Sequence, residues 1–138
     1  MEPINCRTSN LVSLNEKSSD SLTTIQELKN EIEVFCKKRE WDPFHSAKDL
    51  AIGAITEAAE LLEHFRFRSF EESESLFHDT HKKQLIEEEL ADVFYFVIRF
   101  SQKYNIDLSQ VLRRKMIKNE SRYPVEKSKG NNKKYNEL

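Results

Sequence analysis

The sequence predicts an all-α subunit of four helices, two of them long and each bearing a pair of acidic residues. Three observations carry that expectation. Helix breakers are scarce, with 2 Gly and 3 Pro among 138 residues, whereas the turns of a sheet protein draw heavily on both. Apolar residues recur three and four apart in four separate stretches, which is the period of one helix face. Three of those stretches open on residues that cap a helix N-terminus.

Residues 1–21 are polar, rich in Ser and Asn and without a sustained period, and are read as a flexible tail. Thr24-Ile25-Gln26-Glu27 then forms a capping box, with Ile25, Leu28, Ile32 and Phe35 as the apolar stripe of a first helix reaching about Arg39. Pro43 disfavours helix at Asp42, so Glu40 to His45 is a connection, unusually aromatic for one. Ser46-Ala47-Lys48-Asp49 opens a second helix that runs to about Phe67. Ser69 to Asp79 is acidic and Ser-rich and is read as a loop with at most one helical turn. A third helix spans about His81 to Lys103, apolar nearly all round in its second half and so expected to be the central, most buried element. Asp107 caps a fourth helix, with Val111, Leu112 and Met116 on its apolar side, which ends before Pro124. One domain over 22–125 and a flexible, Lys/Asn-rich tail over 126–138 complete the chain.

The two long helices carry the chemistry. Glu57-Ala58-Ala59-Glu60 and Glu89-Leu90-Ala91-Asp92 each set two carboxylates three residues apart, on one face of a helix. If the helices pack together, four carboxylates converge into an all-oxygen cluster suited to a hard cation such as Mg²⁺. On a helical wheel Glu89 falls inside the apolar arc of Ile86, Leu90, Val93, Val97 and Phe100, and Asp92 lies at its edge. A carboxylate on a buried face costs several kcal/mol unless a metal or cationic partner compensates it. Lys115, Asn119 and Arg122 share a face of the fourth helix, and with Tyr123 they form a candidate phosphate grip of two cations and two neutral donors. Trp41, His45, Phe44 and Phe67 could stack on or hydrogen-bond a nucleobase. Each group also has an ordinary reading: solvated charges, a basic helix end matched to the helix dipole, aromatic core.

Other classes are disfavoured. A net charge of −2 gives no strong field for nucleic acid or an anionic membrane. No apolar run is long enough to span a bilayer, and the first residues lack signal-peptide character. Two cysteines, Cys6 and Cys36, make no disulfide framework and fit a reducing compartment, so a cytoplasmic protein is expected. No His stands three residues after a Glu, as a di-iron bundle needs, and neither a Gly-rich phosphate loop nor zinc spacing is present.

Four ordered blocks resemble the MazG-like, all-α nucleoside triphosphate pyrophosphohydrolases, in their dCTP pyrophosphatase branch. They are Arg39-Glu40-Trp41-Asp42-Pro43-Phe44-His45, then Glu57 to Glu63, then Glu88 to Val93, then Lys115-x-x-x-Asn119-x-x-Arg122-Tyr123-Pro124-Val125. The resemblance covers about residues 25–130. It implies cleavage of a nucleoside triphosphate, dCTP on this branch, to monophosphate and pyrophosphate with Mg²⁺. It implies Glu57, Glu60, Glu89 and Asp92 as metal ligands and catalytic residues, and Lys115, Asn119, Arg122 and Tyr123 on the phosphates. It places His45 and Trp41 near base and sugar, with Phe67 and Phe96 at positions where relatives often carry Trp and Tyr. It further implies a homodimer or a homotetramer of dimers, with sites at subunit contacts. Magnesium-assisted, in-line attack of water on the α-phosphorus is the matching mechanism. Within the same chemistry the alternative is a broader triphosphatase. Outside it, the alternatives are a silent nucleotide-binding relative and a helical scaffold.

Overall fold

The computed structural model describes residues 19–137, so the tail expected over residues 1–21 lies almost wholly outside the described residues. Six α-helices follow in order: α1 (Ile25–Lys37), α2 (Ala47–Glu63), α3 (Phe70–Ser75), α4 (Thr80–Lys103), α5 (Leu108–Arg122) and α6 (Val125–Ser128). There is no strand among the described residues. The four helices read from periodicity are α1, α2, α4 and α5.

Local chemistry sets their starts. Thr24 and Glu27 form the reciprocal box at α1, while Ser46 accepts from the Asp49 N–H at α2. Asp79 accepts from the His81 and Lys82 N–H groups, and Asp107 from that of Gln110. Each satisfies donors that a bare helix end would leave unpaired. The ends of α1, α2 and α4 each lead into a residue with positive φ: Glu40 at 54°, Phe67 at 63° and Asn105 at 57°. That backbone turns the chain sharply and strains every residue but glycine, a bulky one such as Phe67 most of all.

Three features differ from expectation. The segment from Ser69 to Asp79 is more ordered than a loop: Ser69 and Glu72 form a complete capping box that launches α3, and a 3-10 turn over Leu76–His78 follows. Helix α2 ends at Glu63 rather than Phe67, because residues 64–67 turn toward the left-handed Phe67. Helix α4 is central, packing against both α2 and α1, but it is not buried all round. Leu90, Phe94 and Val97 are exposed, since α1 and α2 cover only part of its surface. The C-terminal stretch holds α6 and a 3-10 turn at Tyr135–Glu137, with the Tyr135 ring edge-on to Tyr123 at 6.1 Å.

The core is small: among the described residues, Cys36, Leu50, Leu76, Ile86 and Ile98 are the buried apolar ones. Polar ties supplement it. Lys29, 8% exposed, donates from Nζ to the Ile106 carbonyl at 2.5 Å and fastens α1 to the α4–α5 turn. Cys36 Sγ lies 3.2 Å from Tyr95 Oη, joining α1 to α4, and burial raises the Tyr95 pKa well above its ordinary value. Helix α5 buries none of its residues, and Leu112, Met116 and Ile117 on it are exposed.

Candidate active site

Helices α2 and α4 run antiparallel. Gly53 on α2 meets Phe96 on α4, while Glu57 and Glu60, further along α2, meet Glu89, further back along α4. The matched positions step 3 or 4 residues at a time on both helices: 53, 57, 60 against 96, 92, 89. That spacing keeps a single seam in register.

The acidic pairs sit at one end of this seam. One carboxylate oxygen each from Glu57, Glu60 and Glu89 lies within 4.8 Å of the others. Asp92 is outside that set, but its charge acts on Glu57. Burial raises the pKa of Glu57 first, and Glu60, Asp92 and Glu89 each raise it further. Among the described residues no cationic side chain pairs with these four acids. The donor set fits a hard divalent cation: oxygens only, within a few ångströms of one another, carrying repulsive charge that such an ion relieves.

Phe96 comes next along the seam. Its half-buried ring rests on the bare backbone of Gly53, where an added Cβ would stand 2.2 Å from the ring. Only glycine permits so close an approach at this point. One further turn along α4 lies Arg99, 1% exposed. Its guanidinium pairs with Asp42, reaches Gln102, and donates from Nε to His45 Nδ1 at 3.0 Å. Lys103 Nζ donates to the Asp42 carbonyl at 2.5 Å. The connection over Trp41 to His45 is thereby pinned on α4, with the Trp41 ring 6.0 Å from His45 and 5.7 Å from Phe35, both edge-on. Burial, then the charge of Arg99, hold the His45 pKa below its ordinary value. From Asp92 to Arg99 is about 10 Å along the α4 axis, on the scale of a nucleotide from phosphate to base.

The other site residues read from sequence stand elsewhere. Phe67 is 92% exposed, with the Arg66 guanidinium 4.7 Å from its ring. It leaves the far end of α2 from His45, about 25 Å away by helix length, so one chain does not bring Phe67 to Trp41 and His45. Lys115, Asn119, Arg122 and Tyr123 stand together on the last turns of α5, where Tyr123 N–H donates to the Asn119 carbonyl and Arg122 lies over Tyr135 at 4.7 Å. Among the described residues no hydrogen bond or ion pair joins that set to the carboxylates.

Sequence reasoning passed over Gly53, Arg99 and Asp42. Two signals were there to find: a glycine inside an acidic helix, and a lone cation in the apolar run Val93 to Phe100, which buried must find partners.

Comparison with known proteins places this geometry. The MazG-like family matches residues 52–138, a span that holds both acidic pairs. The chain is 30% identical over 115 residues to dCTP pyrophosphatase 1 of Mus musculus, covering 83% of this chain and 68% of that one. It is 29% identical over 121 residues to dCTP pyrophosphatase 1 of Bos taurus, covering 88% and 72%. A crystal structure of a pyrophosphatase from Archaeoglobus fulgidus superposes with a TM-score of 0.68 at 35% identity, covering 72% of this chain and 92% of that one. The chain belongs to the MazG-like family, on the branch that holds the dCTP pyrophosphatases.

Proposed function

We propose that this chain is a nucleoside triphosphate pyrophosphohydrolase that cleaves dCTP, or a related or modified deoxynucleotide, to the monophosphate and pyrophosphate. The observation that carries this is the carboxylate cluster of Glu57, Glu60 and Glu89, with Asp92 beside it. It lies on the seam of a family whose relatives are named dCTP pyrophosphatase 1. Glu57, Glu60, Glu89 and Asp92 would hold Mg²⁺. When bound, Mg²⁺ supplies positive charge to the phosphate oxygens and lowers the pKa of the attacking water. Lys115 and Arg122 offset charge on the leaving pyrophosphate, and Asn119 and Tyr123 orient it with neutral donors. Trp41, His45 and Phe96 take the base end of the nucleotide.

The functional unit in this reading is an oligomer, a dimer or a dimer of dimers. Apolar side chains stand bare on all six described helices, among them Ile55 at 69% exposure on α2, and Leu112 at 62% and Ile117 at 68% on α5. An apolar groove of about 480 Å³ lies beside the seam, lined by Leu50, Ala54, Phe96, Phe100 and Leu108. Surface of this kind on so small a core calls for a second subunit. Assembly also gives the α5 cations and Phe67 a route to a neighbour's carboxylates, which they do not reach at home.

Chromatographic product analysis tests the reading, with purified protein, Mg²⁺ and each common dNTP and NTP in parallel. Monophosphate with pyrophosphate, strongest for dCTP and lost with chelator, is expected. Equal turnover of several bases would discard the dCTP preference, and no product from any nucleotide would discard the enzyme.

A further inference from the structure

We propose that Arg99 is a positioning residue that locks His45 in the tautomer donating from Nε2, so that the loop offers a nucleobase a hydrogen-bond donor and not an acceptor. The inference deepens the reading above and rests on it for its kinetic consequence.

Arg99 has no solvent to turn to, being 1% exposed. Its guanidinium is fixed from three sides: Asp42, Gln102 and His45. A guanidinium only donates. The 3.0 Å contact from Arg99 Nε therefore requires a lone pair on His45 Nδ1, and a neutral imidazole with its lone pair there carries its proton on Nε2. Protonating Nδ1 would set one N–H against another across that contact. The surrounding charges act the same way: Arg99 and Lys103 oppose a positive imidazole, and Asp42 and Asp49 counter them only in part. Among the described residues no protein acceptor engages Nε2. Asp42 completes the device, because it is held by Arg99 at its carboxylate and by Lys103 at its carbonyl, which fixes the loop that carries His45. A ligand meeting this loop is read by an acceptor, a carbonyl oxygen or an unprotonated ring nitrogen, of the kind found on a pyrimidine edge.

The test is the imidazole spectrum of ¹⁵N-labelled protein, with the His45 signals assigned by their loss in His45→Gln. Wild type is expected to show an unprotonated Nδ1, a protonated Nε2 and a titration midpoint below 6.5. In Arg99→Met the tautomers should mix and the midpoint should move up, whereas in Arg99→Lys, which keeps the positive charge, the tautomers should mix with the midpoint little changed. Arg99→Lys should also raise KM for the preferred nucleotide by roughly tenfold, about the worth of one hydrogen bond, with kcat changed far less and the Mg²⁺-induced melting shift intact. A protonated Nδ1 in wild type, or an unmixed Nε2-protonated tautomer in Arg99→Lys, would overturn the proposal. Should Arg99→Met fail to fold, the wild-type and Arg99→Lys spectra still decide. Should wild type turn over no nucleotide, the functional reading falls while the spectra still decide the role of Arg99.

Discussion

Burial and the charges of Glu60, Asp92 and Glu89 raise the affinity of Glu57 for its proton, so at neutral pH the ionised cluster works against the fold. Glu57→Gln removes one of those charges. Without metal it should melt slightly higher than wild type, a small shift because solvent screens so exposed a group, while its response to added Mg²⁺ and its turnover are lost. Scanning fluorimetry with and without Mg²⁺ reads both; an unchanged Mg²⁺ response would contradict the metal assignment. Gly53 makes an opposite demand. Helix propensity alone favours Ala there by roughly 0.5–1 kcal/mol, yet the Cβ would collide with the Phe96 ring. Gly53→Ala should therefore destabilise by about 1–3 kcal/mol in urea unfolding. In a Phe96→Ala background the same change should be neutral or favourable, a non-additivity that identifies the ring as the obstacle.

At the scale of elements, the Trp41 to His45 connection depends on charge states. The folded chain resists protonating His45, whose ordinary pKa is 6.5. Its contribution to stability is fully present above that pH and is lost as pH falls below it through the lowered folded pKa. Arg99 lowers the Asp42 pKa from 3.8, so the contribution of Asp42 holds through mild acid and fails only below that value. Acidification should weaken the fold in two separate steps, and His45→Gln should abolish the first alone; chemical denaturation from pH 8 to pH 3 checks this. The helices themselves were legible because their signals are local. Thr24 with Glu27, Ser46 with Asp49, and Asp107 with Gln110 are each three apart. Ser69 with Glu72 carried the same signature, but the acidic, Ser-rich text around it reads as loop. The Arg99–Asp42 pair spans 57 positions, and no periodicity announces a contact at that separation. The convergence of Glu57, Glu60 and Glu89 was legible because each acidic pair shares a helix face, whereas the meeting of Gly53 with Phe96 depends on the register of two helices.

For the whole molecule, burial is the deciding quantity. Five buried apolar residues among the described residues 19–137 make a thin core, and no residue of α5 is fully buried. Leu112→Glu with Ile117→Glu should reduce the solution mass toward that of a single chain in light scattering. It should also lose most turnover, although no carboxylate of the cluster is touched. Full activity in a proven monomer would place every needed group within one chain. Melting temperature should rise with protein concentration in wild type and lose that dependence in the variant.

The seam of α2 and α4 also bears on how this chain can diverge from its relatives. Alignment of the acidic pairs comes from side chains stepping in phase along two antiparallel helices, whereas the segment from His64 to Asp79 joins their ends and lends Leu76 to the core. Insertions and deletions there leave the phase untouched. A lineage is free to lengthen or shorten that joint so long as an apolar residue keeps the place of Leu76, while a single residue gained or lost inside either helix would rotate one pair of carboxylates by about 100° away from the other.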